Sequence, residues 1–370
     1  MVFERRQLMM RKTFLLLAGV GCLGLLACSA TAGDFKASMK AGTPDLQSIG
    51  PIAFGPDGIL FLSDPKGAAI FAIDSGDDEA VTHAKGLDLA DVDGKVAALL
   101  GTTADKILIN DMAVNPLSGK VYFSVSRGLG PDATPVLMRV LRSGKIEQVS
   151  LEGIHFSKAE LPNPPKSGDK RLQSITDIAY LHGRVFIAGL SNEEFASKLR
   201  SIQFPFAGVG GGTSIEIFHS AHGRYETRSP VRTFADYQIG DEAYLLAAYT
   251  CTPLVKIPID KLESGEKIIG TTIAELGNRN RPLDMFVYNK GGKDFILMAN
   301  SSRGMMKITT ENLGTIAGLT ERVSGTAGLT FETLAGRDSV MQLDRLDEKR
   351  ALILVKADEG PLNLETMALP

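Results

Sequence analysis

The chain has 370 residues, of which 44% are hydrophobic, so it can bury a sizeable core without help from cross-links. Its 40 basic residues are outnumbered by 43 acidic ones, which leaves no basic face to neutralise phosphates and argues against a nucleic-acid binder. There are 3 cysteines, two of them within the first 28 residues. The body therefore keeps only Cys251, and no internal disulfide, c-type haem or cysteine-rich zinc site is signalled.

The first element is a targeting segment. Arg5, Arg6, Arg11 and Lys12 precede an apolar run from Thr13 to Ala27 that is too short for a permanent span. Two cleavage readings stay open. Leu25-Leu26-Ala27-Cys28 fits a lipobox with Cys28 as the lipidated first residue, and Ala30-Thr31-Ala32 fits cleavage after Ala32. Arg5-Arg6 also matches a twin-arginine signal loosely. The expectation is an exported chain, periplasmic or tethered to a membrane only through a lipid anchor, or else secreted. Residues 1–28 are then the leader, 29–45 a tether, and 46–370 a single domain.

That domain repeats. Each copy has a short apolar strand, a turn with Gly or Asn/Asp, a nearly all-apolar strand, a polar loop and a third strand. The second strands are Ile59-Leu60-Phe61-Leu62, Val121-Tyr122-Phe123-Ser124, Val185-Phe186-Ile187-Ala188, Tyr244 to Ala248, Phe295 to Met298 and Ala351-Leu352-Ile353-Leu354. A strand apolar throughout is one buried on both faces. Copies recur about every 53–66 residues, enough for a four-stranded blade and a loop. The fold class predicted is all-β: a β-propeller of six four-stranded blades, or seven if a further copy lies between Thr310 and Ala335.

Three stretches interrupt the repeat. Leu89, Val92, Val96, Leu99 and Leu100 recur at helical spacing and predict a short helical insertion, although Gly94 weakens it. Residues 153–168, with Pro162, Pro164 and Pro165, read as an exposed loop. Residues 204–212 end in three glycines followed by a strand rather than a helix, so they read as a loop and not a phosphate cradle.

Aligning the copies places Asp111, Asp177 and Asp284 at one position on the innermost strand, with Thr233 there in the fourth copy. In a propeller these positions converge on the central channel. Converging carboxylates need compensation, either a divalent cation such as Ca²⁺, with Asn110 adding a neutral oxygen, or backbone N–H bonds. The loops after the second strands form a rim on the same face, with Asp64, Arg127, Tyr249, Asn300 and Arg303 as candidate ligand-binding residues. His219 and His222 are three apart. On a strand they face opposite sides and share no metal, unless a turn at Gly223 intervenes.

Phe54-Gly55-Pro56-Asp57-Gly58, Asn110-Asp111-Met112-Ala113-Val114-Asn115-Pro116 and Arg281-Pro282-Leu283-Asp284 resemble phrases of the gluconolactonase/NHL-type six-bladed propellers. In the lactonase branch, the resemblance implies a divalent metal at the channel mouth, held by a first-blade Glu and by Asn/Asp from other blades. Here Gly50-Pro51 stands where that Glu is expected, and Leu283-Asp284 where an Asn-Gly is. The leading functional expectation is a binding module taking a small molecule or an envelope protein at its loop face. The alternatives are a metal-dependent lactonase- or esterase-type hydrolase and a scaffold lipoprotein of an envelope complex.

Overall fold

The six apolar second strands form the middle of six antiparallel sheets. In the first, Ile59–Asp64 is buried along its whole length. It pairs on one side with the innermost strand Ile52–Phe54 and on the other with Ala69–Asp74. A computed structural model describes residues 35–81, 85–251, 253–356 and 360–370, so the leader and Cys28 lie outside the described residues. Among those described, no helix is long and apolar enough to cross a membrane.

The innermost strands of the second to sixth blades are Ile107–Val114, Asp177–Leu181, Val231–Ile239, Pro282–Lys290 and Val340–Arg345. Each pairs with its own apolar second strand. The third and fourth blades also join at their outer edges, where Thr213–His219 runs parallel to Lys267–Leu276. A sheet apolar on both faces must be covered on both. Here the cover is the next blade, and the core is divided into inter-blade wedges.

Those wedges give the ring order. Ile59 and Phe61 of the first blade pack against Ile187 and Phe204 of the third. Leu60 and Leu62, on the opposite face, pack against Tyr122 and Leu137 of the second. Further wedges join third to fourth, fourth to fifth and fifth to sixth. The last holds Leu352 and Leu354 of the sixth blade against Phe123 and Val125 of the second. The first blade thus stands between the second and the third, so the first two blades are exchanged relative to chain order.

The connections explain the exchange. After Ala69–Asp74 the chain travels to the open edge of the sixth blade, where Leu89 and Leu364 exchange N–H···O bonds at 2.8 and 2.9 Å. The sixth blade has three strands of its own, and this passage covers what would be a bare sheet edge. The chain then forms helix α1, Val92–Leu99, whose Val92, Val96 and Ala97 fill the wedge between sixth and second blades. Gly94 has a reason to be there, since a Cβ would stand 2.3 Å from Asp91 Oδ1 at the helix start. After the second blade the chain returns as Ile154–Glu160, the fourth strand of the first.

Several expectations change here. Ile154–Glu160 lies in the stretch read as an exposed loop, because its polar residues mark an edge strand rather than a linker. Residues 40–42, inside the segment read as a tether, pair with that strand, and Phe35 stacks on Phe204 at 5.8 Å. No seventh blade forms between 310 and 335. Thr326–Gly328 and Phe331–Thr333 are edge strands of the fourth and fifth blades.

The wedges leave little slack. Gly189, on the second strand of the third blade, faces the Ser174 carbonyl, and an added Cβ would stand 2.0 Å from that oxygen. Gly189→Ala is expected to lower stability by about 2–3 kcal/mol, read as a lower denaturation midpoint. A midpoint equal to that of the parent chain would show that the segment leading into the innermost strand of the third blade is not held against Gly189.

Candidate functional site

Bulges in three innermost strands stand beside Asp111, Thr233 and Asp284, while Asp177 opens a regular strand. The pairing register shifts between Ile109 and Asp111, between Val231 and Thr233, and between Pro282 and Asp284. A bulge twists the strand and redirects the side chain beside it. Asp111, Asp177, Thr233 and Asp284 are brought together as expected, lining both a cavity of about 1160 Å³ on the loop face and one of about 710 Å³ at the opposite mouth. They form the waist of the channel.

Each carboxylate at the waist accepts backbone N–H groups, including one from the neighbouring blade. Asp111 takes Ile52 N at 2.7 Å. Asp177 takes Ile178 N and Phe234 N, both at 2.8 Å. Asp284 takes Met285 N at 2.8 Å and Leu343 N at 3.0 Å. Asp344, one step nearer the opposite mouth, accepts Arg345 N and Val114 N in the same way, both at 2.6 Å. The aspartates thus tie third to fourth, fifth to sixth, sixth to second and second to first blade.

Burial outweighs these N–H bonds and favours the protonated forms. It pushes Asp177 up to about 7 and Asp344 up to about 6. Asp111 and Asp284 lie well above the usual carboxylate range, by burial first and then by the charges of the other aspartates.

Both oxygens of Asp177 and both of Asp284, expected as Ca²⁺ ligands, accept backbone N–H groups from their own strand and from the next blade, so they serve to close the ring. The Asn110 amide is turned to Ser126 Oγ at 2.9 Å. A first-blade Glu is missing at Gly50-Pro51.

None of the five expected rim residues lines either cavity. Asp64 is buried, and its carboxylate accepts Gln47 N, Ser48 N, Ser48 Oγ and Gly67 N at 2.8–2.9 Å. Tyr249 lies in the core between third and fourth blades. Asn300 is buried, donating to Asn280 Oδ1 and accepting from Ser302 N, both at 3.1 Å. The Arg303 guanidinium covers Gly277, where a Cβ would stand 1.9 Å from Nη2. Arg127 is exposed at the end of Val121–Arg127, outside the cavity wall. Cys251 is half-buried with φ 62°, its N–H on the Asn280 carbonyl at 2.9 Å.

The loop-face cavity is instead ringed by cations that the alignment did not single out as a group. Lys66, Lys166, Arg171, Arg232 and Arg281 line it, with the exposed Asp169 the one acidic residue there outside the channel waist. Among the described residues none of them pairs with a carboxylate. Lys66 Nζ rests on the Pro131 carbonyl at 2.6 Å. Arg171 spends its N–H groups on the carbonyls of Lys66, Pro165 and Gly67. Arg232 reaches only neutral oxygens, Thr250 Oγ1 at 2.9 Å and Gln173 Oε1 at 3.1 Å. Burial, and then the charge of Arg281, pull Arg232 down to about 10. The one sequence signal was positional, since Arg232 and Arg281 immediately precede two innermost-strand positions, Thr233 and Pro282.

The chain matches no family model and no curated protein. Among solved structures it is similar to Drosophila Semaphorin 1b, extracellular domains 1–2, at 9% identity over 89% of this chain and 88% of that one, with a TM-score of 0.39. The PQQ-bound aldose sugar dehydrogenase from Streptomyces coelicolor is similar at 13% identity over 89% and 97%, with a TM-score of 0.34. A streptogramin B lyase is similar at 10% identity over 90% and 97%, with a TM-score of 0.33. The propeller assignment rests on the strand pairing and the wedges themselves.

Proposed function

We propose that the protein is an exported binding module whose loop-face cavity takes a small polar ligand bearing a carboxylate, phosphate or similar anionic group. The observation that carries this reading is the ring of unpaired cations around a cavity of about 1160 Å³. A half-buried guanidinium next to a second cation is costly without a counter-charge, and a bound anion supplies one. Gln173, Thr176 and Gln342 line the same space and offer neutral hydrogen bonds to hydroxyl groups. The waist carboxylates favour their protonated forms, so they do not set four full negative charges below an anion. The hydrolase alternative is less well supported, because it needs a free base or metal ligand and the waist oxygens are engaged in closing the ring.

The test is calorimetric titration of a panel of dicarboxylates, sugar acids and sugar phosphates, with neutral sugars as the contrast. Saturable binding confined to the acidic members is expected. Arg232→Ala is expected to weaken it tenfold or more, the size of one charged hydrogen bond of about 1.5–3 kcal/mol. Equal affinity in Arg232→Ala and the parent chain, or binding of neutral sugars alone, would sink the proposal.

A further inference from the structure

The strand Thr213–His219, on the outer flank of the third blade, ends in a tight turn. His222 N and Gly223 N both bond the His219 carbonyl, at 3.0 and 2.8 Å. Gly223 has φ +67° and leaves no room for a Cβ, which would stand 2.9 Å from Arg322 Cβ. The turn brings together what a straight strand would separate. The two imidazoles lie with centroids 3.9 Å apart. The next strand, Arg224–Glu226, pairs back so that Glu226 faces both. Its Oε2 lies 3.0 Å from His219 Nδ1 and its Oε1 lies 2.6 Å from His222 Nδ1. One ligand atom from each residue fits within 4.8 Å of the others.

We propose that His219, His222 and Glu226 form a divalent transition-metal site, best suited to Zn²⁺. Two imidazole nitrogens and a carboxylate are a borderline-soft donor set that favours Zn²⁺ and its neighbours over Ca²⁺ or Mg²⁺. The surroundings are those of a ligand set rather than of a simple ion pair. His219 is 2% exposed and its Nε2 has no hydrogen-bond partner. Below the same turn, Glu275 is buried too. Its Oε2 accepts Ala221 N at 3.3 Å, while its Oε1 has no partner. His219 Nδ1 faces Glu226, and its Nε2 stays buried without a partner, so the ring is held in place by packing and by the Glu226 contact alone.

Ser229 Oγ donates to Glu226 Oε2 at 2.8 Å and would keep the carboxylate oriented. The side chain of His222 is 46% exposed, so the open coordination position faces solvent. Arg224 reaches Glu226 Oε1 at 3.4 Å with a side chain 70% exposed, making it a mobile competitor for that oxygen.

The experiment is titration of the purified protein with Zn²⁺ against a chromophoric chelator, with Co²⁺ spectra as a readout of the ligand field. Stoichiometric binding is expected, weakened about 100-fold or more by His222→Ala and by Glu226→Gln, since even the loss of outer-shell partners costs 10- to 100-fold. Arg224→Ala is expected to bind at least as tightly as the parent chain. His222 is partly exposed, so its variant should fold, which circular dichroism would check, and His222→Gln serves in its place if it does not. Zn²⁺ affinity unchanged in the His222 and Glu226 variants, or no stoichiometric binding by the parent chain, overturns the proposal.

Discussion

Asp77→Ala is expected to cost about 4 kcal/mol, because it removes the anion from a buried cluster that joins the first and second blades. The Asp77 side chain is fully buried. It accepts Lys120 Nζ at 2.5 Å, Ser118 Oγ at 2.7 Å, Asn115 Nδ2 at 2.9 Å and Tyr122 OH at 3.0 Å. Asp77 sits in the passage that leaves the first blade, and all four donors belong to the second. Truncation would leave a half-buried lysine without its counter-charge and take the acceptor from the buried hydroxyls of Ser118 and Tyr122, while Asn115 Nδ2 would keep only the Asp77 carbonyl at 2.7 Å. Burial alone would raise Asp77, but Lys120, Ser118 and Asn115 together outweigh it and hold the carboxyl below its usual value. Its contribution is therefore complete above about pH 4 and is lost as pH falls through the folded-state value. Urea unfolding at neutral pH should show the deficit, and the gap to the parent chain should close in acid. A loss under about 1 kcal/mol at neutral pH, smaller than one buried charged hydrogen bond, would mean that the cluster does not hold the two blades.

The blades were legible in the sequence and their order was not. Ile59 to Leu62 is apolar at every position, so it announces burial on both faces. Nothing in it says that Leu60 and Leu62 meet the second blade while Ile59 and Phe61 meet the third. That choice is made by long connections, and the decisive one, residues 87–93, carries only a few ordinary hydrogen bonds along a sheet edge. The same limit applies to the site. Asp111, Asp177 and Asp284 emerged from alignment because each is followed by an apolar residue and stands at the same place before the turn of its blade. Asp344 did not, because Gln342 holds the aligned position just past the bulge of the sixth blade and Asp344 stands two residues further along the strand. Asp64 and Asn300 were misread as ligand-facing because a polar residue at a strand end looks the same whether it serves a ligand or ties down its own loop. The His219–Glu226 cluster depended on whether the chain turned at Gly223, which the glycine permitted without requiring.

Asp284→Ala is expected to lose about 3 kcal/mol, since Met285 N and Leu343 N both lose their acceptor and each unpaired N–H costs about 1–3 kcal/mol. The pH dependence of the waist distinguishes clamps from surface carboxylates. Asp177 and Asp344 are raised to about 7 and about 6, against roughly 3.9 for an aspartate in the unfolded chain. Between these values the folded state binds more protons than the unfolded state, so stability falls as pH rises. The contribution of the pair is fully present below about pH 4 and is lost by about pH 7, the reverse of Asp77. Asp344→Asn cannot titrate, so the stability of the variant relative to the parent chain should rise from pH 4 to 7. A relative stability of the variant that falls over that range would mean that these carboxylates are stabilised as anions, as they would be around a cation. The outcome also bears on the rim. A waist that carries protons sets little negative charge beneath Arg232 and Arg281, whereas four ionised aspartates would repel the anion those arginines are proposed to hold. Closure of the ring and the choice of ligand then depend on the same protons.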